Sequence, residues 1–140
     1  MADEMALLIA DVYELAGLLR RSGEAVAARE GQTQARWQVL SVISGHALTV
    51  PQAARRLGVT RQAVQRVAND LVGDGLVELD TNPDHRTSPM LTLTDRGRRV
   101  LARINTFAAA ENERVAEAVG ADVVRRTHAG IRRLAAALRD

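Results

Sequence analysis

Apolar side chains recur along this chain at two different periods, and the places where the period changes divide it into elements. Met5, Leu8, Ile9, Val12, Leu15, Ala16 and Leu19 fall three or four residues apart, which lays them on one face of a first helix over residues 3–28. REGQTQ (29–34) is a polar break. ARWQVLSVIS (35–44) is apolar nearly all round, which predicts a central, buried helix. GHALT (45–49) reads as a turn. VPQAARRL (50–57) is a short helix, with Thr49 as its cap and Pro51 in the first turn, where the missing N–H has no helical partner to lose. Gly58 ends it. Thr60 caps the next helix, which runs to about residue 73, and Gly75 suits a left-handed position behind it.

The period then switches. Leu76, Val77 and Leu79 read as one short strand, and Met90, Leu91 and Leu93 as another. DTNPDHRTSP (80–89) between them is rich in turn formers, so the pair is a hairpin with a long, charged tip: a wing. Helical spacing returns with Val100, Leu101, Ile104, Phe107, Ala108, Val115 and Ala118, with Thr94 as the cap. Gly120 breaks that helix, and Asp122 is expected to cap a last one carrying Val124, Ile131, Leu134, Ala135 and Leu138. The expected fold is mostly α: a winged helix-turn-helix with a two-stranded wing, flanked by terminal helices. A length of 140 residues suits a single domain, with no internal repeat and no low-complexity linker.

Residues 50–71, VPQAARRLGVTRQAVQRVANDL, meet the demands of a helix-turn-helix. Two short helices that cross steeply need a small residue at the crossing, which Ala54 supplies. The turn needs a residue free to take positive φ, which is Gly58. The second helix needs apolar residues facing back: Val64, Val67 and Leu71. Its outward side, by subtraction, carries Arg61, Gln62, Gln65, Arg66 and Asn69. Arginine pairs with guanine, and glutamine or asparagine with adenine, by paired hydrogen bonds in the major groove. Thr60, at the start of this helix, is placed to bind a phosphate through free N–H groups. Arg55 and Arg56, on the preceding helix, are better placed for the backbone than for bases.

Charge sharpens this reading through its distribution rather than its sum, which is only +2. Residues 1–30 hold six acids against three arginines, whereas residues 31–69 hold five arginines and no acid. Residues 86–103 hold five more arginines against Asp95 alone. Two basic blocks that coincide with the helix-turn-helix and the wing are the footprint of a surface that meets a polyanion. All 19 basic residues are arginine, whose planar fork suits phosphate and guanine. With 46% hydrophobic residues but only 2% aromatic ones, the core must be aliphatic.

Other chemistry is not in evidence. The absence of cysteine rules out disulfides, thiolate metal sites and cysteine redox sensing. His46, His85 and His128 lack a second candidate ligand one helical turn away, so no metal site, cofactor or catalytic set is expected. His128 falls on the apolar stripe of the last helix, where a hydrogen-bonded core or interface histidine is expected. No run of about 18 apolar residues exists to span a membrane. The acidic start MADEMALL lacks the basic region of a secretory signal, which points to the cytoplasm.

LTVPQAARRLGVTRQAVQRVANDLVGDGLVEL, followed by a charged wing and LTLTDRGRRVL, resembles the MarR family of winged-helix regulators over essentially the whole chain. The resemblance implies a transcriptional regulator, expected to be a homodimeric repressor of a pseudo-palindromic site in double-stranded DNA. Residues of about 1–30 and 100–140 would form the dimerisation helices and about 35–99 the DNA-binding region. The family's wing tip carries Asp-x-Arg, which falls here on His85-Arg86-Thr87 without gaps, or on Asp84-His85-Arg86 when shifted by one. Both alignments keep Arg86 at the tip for the minor groove, with Asp84 or His85 to brace it. The resemblance also implies a small, often anionic aromatic effector between the dimer helices and the winged region, with Trp37 and Tyr13 bordering the cleft and Arg36, Arg96 or Arg98 as cationic partner. A second reading is a winged-helix module that binds another protein. Acids on the outward face of residues 60–73 would favour it, and that face is basic and amidic until Asp70.

Overall fold

The structure is a computed structural model and describes residues 3–81 and 88–139. In chain order it contains α1 (Glu4–Ala28), α2 (Gln34–Ser44), α3 (Val50–Leu57), α4 (Arg61–Gly73), β1 (Val77–Asp80), β2 (Met90–Leu93), α5 (Asp95–Val119) and α6 (Ala121–Leu138). The strands are antiparallel, with Val77 opposite Leu93 and Asp80 opposite Met90. The fold is therefore a mostly helical winged helix-turn-helix.

Local chemistry sets most of the boundaries. The Asp3 carboxylate accepts from the N–H of Met5 and starts α1. The Thr33 hydroxyl accepts from the N–H of Arg36, so α2 begins one residue earlier than its apolar run. Glu24 of α1 accepts from the N–H of Gln34 at 3.0 Å, satisfying a second free donor of the same helix end. Two of the expected boundaries need correction. Leu76 precedes β1 rather than belonging to it. Asp122 does not cap α6: Gly120 holds that position without a side-chain bond, and Asp122 lies in the first turn paired with Arg125.

The chain forms two compact units, Met1–Asn105 and Thr106–Asp140. The first holds an aliphatic core of Val39, Leu40, Ile43, Leu71, Leu76, Val77, Leu91 and Ile104, closed by Ala53, Ala54 and Ala68. Alanines at the α3–α4 contact let the two helix backbones approach closely. Within this unit α2 packs against α1, α3, α4 and β2. It is central but not buried all round, because Ala35, Gln38 and Ser41 remain exposed. Leu48, in the segment read as a plain turn, bridges Leu91: its carbonyl accepts from the N–H of Leu91 at 2.7 Å and ties the approach to α3 to the wing strand. In the second unit no residue of α6 is buried, and His128 is exposed rather than enclosed in a core.

Candidate nucleic-acid interface

The helix-turn-helix is built from its caps inward. Thr49 and Gln52 form a reciprocal box. The Gln52 side chain accepts from the N–H of Thr49 at 2.9 Å, and the Thr49 hydroxyl accepts from the N–H of Gln52 at 3.3 Å. Gly58 closes α3 at φ 68°, ψ 33°, a left-handed conformation that a side chain disfavours. The Thr60 hydroxyl then accepts from the N–H of Ala63 at 3.1 Å and starts α4. Because α4 is anchored by buried Val64, Ala68 and Leu71, with half-buried Val67 beside them, its opposite face is fixed. Arg61, Gln62, Gln65, Arg66 and Asn69 are all exposed on that face.

The structure gathers these five residues into one open groove of about 510 Å³. Val50 and Pro51 at the start of α3 form one wall, and Ser88 and Pro89, which lead into β2, also line it. The groove is amidic and cationic. Among the described residues, neither Arg61 nor Arg66 forms an ion pair or a hydrogen bond, so both guanidiniums are available to an anion. The Gln65 amide nitrogen donates to the Asn69 amide oxygen at 2.9 Å, one helical turn away. Thr60 is exposed beside them. Its oxygen accepts from the helix, and its hydroxyl hydrogen is left to donate.

Arg55 and Arg56 are not in this groove. They border a separate concavity with Leu48 and Gln52 on another side of α3. Arg86, and Asp84 and His85 as its candidate braces, lie outside the described residues. Reading the outward face of α4 could not reveal Val50, Pro51, Ser88 and Pro89 as groove walls. The signal nearest to them is Pro51, whose place in the first turn of α3 is legible from the sequence.

The candidate effector residues are not brought together. Trp37 is half-buried and donates from its ring nitrogen to the Asn105 side-chain oxygen at 3.1 Å. It lines a shallow concavity of about 420 Å³ with Gln34, Gln38, Ser41, Val42 and Leu57. Tyr13 is 74% exposed on α1 and takes no part in that lining. The three arginines have structural tasks. Arg36 pairs with the Asp74 carboxylate at the end of α4. Arg96 donates to the Asp74 carbonyl at 2.9 Å. Arg98 donates to the Leu93 carbonyl at 3.0 Å and to the Asp95 carboxylate at 3.2 Å. Arg36 ties α2 to the end of α4, Arg96 ties the start of α5 to that same end, and Arg98 ties the start of α5 to the end of β2. Among the described residues there is no cluster of histidine and acidic side chains that could hold a metal ion, and no helix long and apolar enough to cross a membrane.

Comparison with known proteins gives the same outline. The MarR family model matches residues 31–86. An uncharacterized protein of Mycobacterium tuberculosis is 66% identical over 139 residues, covering 99% of this chain and 97% of that one. The transcriptional repressor CouR, solved bound to a 23-mer DNA duplex, superposes with a TM-score of 0.83 at 26% identity, over 94% of this chain and 95% of CouR. The PcaV transcriptional regulator of Streptomyces coelicolor matches with a TM-score of 0.69 at 25% identity, over 90% of this chain and 96% of PcaV.

Proposed function

The chain belongs to the MarR family of transcriptional regulators, and from that membership we propose that it is a homodimer that binds a pseudo-palindromic site in double-stranded DNA and represses transcription there. The observation that carries the proposal is the exposed face of α4, where Arg61 and Arg66 stand without an ion pair among the described residues, beside Gln62, Gln65 and Asn69. A helix presenting arginine and amide side chains suits the major groove, where donor and acceptor patterns distinguish all four base pairs. Thr60 and Arg56 would meet phosphates, Arg55 likewise, and Arg86 would enter the minor groove from the wing. That CouR was solved bound to a DNA duplex supports the DNA-binding reading.

Two helices support the dimer. α1 leaves Met5, Leu8, Ile9, Val12, Leu15 and Leu19 at least 40% exposed. α6 leaves Val123, Val124, Ile131 and Leu138 at least 40% exposed. Apolar stripes of this length are not stable facing water and suit a twofold interface. The proposed division is then residues of about 1–30 and 100–140 for dimerisation and about 35–99 for DNA. The proposal includes a small effector that releases the DNA. This part rests on the shallow concavity at Trp37 and on PcaV having been solved with its natural ligand.

The test is selection of genomic fragments bound by the full chain, followed by a search for an inverted repeat. We expect half-sites about ten base pairs apart, one turn of the double helix. Salt-dependent binding with no enriched repeat would overturn specific regulation, and no binding at all would overturn the DNA reading.

A further inference from the structure

We propose that Gln65 and Asn69 read DNA as one unit, in which Asn69 positions the Gln65 amide and Gln65 contacts the base, an adenine. The inference rests on the DNA-binding reading above and assigns one base to one side chain within it.

The two residues lie one turn apart on α4, both exposed and both lining the same groove. Helical side chains lean toward the N-terminus, so residue 69 reaches back over the turn toward residue 65. There the Gln65 amide nitrogen donates to the Asn69 amide oxygen at 2.9 Å. A glutamine amide has one acceptor oxygen and two N–H donors. The contact occupies one donor and leaves the oxygen and the second N–H beside each other. An acceptor next to a donor complements adenine, which presents its N6 amino group next to N7 in the major groove. Guanine presents two acceptors there and thymine an acceptor and a methyl, so neither offers a hydrogen to the Gln65 oxygen. Cytosine offers an amino group alone and satisfies half of the edge.

The same contact changes the role of Asn69. Its oxygen is turned toward the Gln65 amide nitrogen, so the Asn69 amide is oriented along the helix at residue 65 rather than swung onto a second adenine. Asn69 is therefore a positioning residue. A long glutamine side chain loses much rotamer freedom when it is held on a base. Tying its amide to Asn69 removes part of that loss in advance, as preorganisation does generally. The bond is weak while water competes for it, and strengthens as the groove closes on DNA.

The test is selection from a random DNA library by the full-length chain, compared with Gln65→Ala, Asn69→Ala and Asn69→Asp. Circular dichroism checks that each exposed substitution leaves the helices intact. The wild type should favour adenine over guanine and thymine at one half-site position by roughly 5- to 150-fold, the range of one good bidentate pair. Gln65→Ala should abolish that preference, and Asn69→Ala should flatten the same position and no other. Asn69→Asp keeps the acceptor and should retain the preference while lowering affinity for every sequence. The proposal fails if Asn69→Ala leaves the preference unchanged or flattens a separate position. It fails also if the base lost with Gln65→Ala is guanine or thymine. If the wild type binds no DNA, the parent reading falls and takes this one with it, an outcome distinct from altered selectivity in an intact DNA binder.

Discussion

Gly97 stands so close to Leu76 that a Cβ built on it would lie 2.0 Å from the Leu76 carbonyl oxygen and 3.0 Å from its carbonyl carbon. The first turn of α5 thus rests directly on the backbone that leaves α4. Two effects compete when Gly97 becomes alanine. Alanine is the better helix former by about 1 kcal/mol. Against this, a Cβ at 2.0 Å forces backbone apart in a packed region, and overpacking costs about 1–3 kcal/mol or more. The clash is with main chain rather than with a flexible side chain, so it should win. We expect Gly97→Ala to lower Tm by several degrees in thermal unfolding. An unchanged or raised Tm would mean that the two segments separate easily and that their contact does not fix the fold.

Thr94 fastens the same junction. Its hydroxyl donates to the Gly75 carbonyl at 2.7 Å and accepts from the N–H of Gly97 at 3.0 Å, while its own N–H donates to the Leu76 carbonyl at 3.1 Å. Valine has nearly the same shape but neither side-chain bond. Thr94→Val should lose about 1–3 kcal/mol of stability, since it strips partners from two backbone groups at a half-buried site. Thr94→Ser keeps the hydroxyl and should lose much less. Urea unfolding at constant m-value separates the two, and equal losses would show that the methyl group rather than the hydroxyl matters.

These residues also mark how far the sequence could be read. Thr49, Pro51 and Gly58 act on their own neighbours, so α3 falls at 50–57 as its pattern predicts. Thr94 is legible as a cap, but the approach of Gly97 to the carbonyl of Leu76 is not, because that carbonyl comes from a segment 21 residues earlier in the chain (97 minus 76). Local signals can also mislead. Asp122 looked like a cap, yet Gly120 takes the turn and Asp122 pairs with Arg125 instead. The basic residues show the limit most clearly. Helical period puts Arg61 and Arg66 at the two edges of the outward arc of α4, and Val50, Pro51, Ser88 and Pro89 complete the groove they line. The tertiary bonds of Arg36 and Arg96 to Asp74 are not legible from that period, whereas Arg98 bonds to Leu93 and Asp95 close by in the chain.

The apolar stripe of α1 makes the proposed dimer testable. Leu8 is 40% exposed and Val12 42% exposed, one helical turn apart. Burying such a pair at an interface gains on the order of 1.5–3 kcal/mol for each fully covered side chain. An arginine at position 8 would have to be desolvated without a described partner, so Leu8→Arg should shift the chain toward monomer. Sedimentation velocity at micromolar concentration checks this. A variant that stays dimeric, or a wild type that is already monomeric, removes α1 from the interface.

The arginines of α3 and α4 divide into two classes, and the division predicts two different defects. Arg66 lines the α4 groove, where base edges would lie. Arg55 borders a separate concavity on α3, where the proposal has it meet the sugar–phosphate backbone. Loss of a phosphate contact weakens binding to every sequence alike and reduces the dependence of log K on log salt by roughly one contact. Loss of a bidentate base contact costs about 1–3 kcal/mol on the preferred site and much less on unrelated DNA. Arg55→Ala should therefore lower affinity uniformly, with a shallower salt slope and unchanged site preference. Arg66→Ala should narrow the gap between specific and non-specific DNA. Titrations of both variants on both DNAs at several salt concentrations decide between them. If Arg55→Ala changes site preference, or if Arg66→Ala weakens all sequences equally, then the two helices do not divide positioning and reading as their places in the fold require.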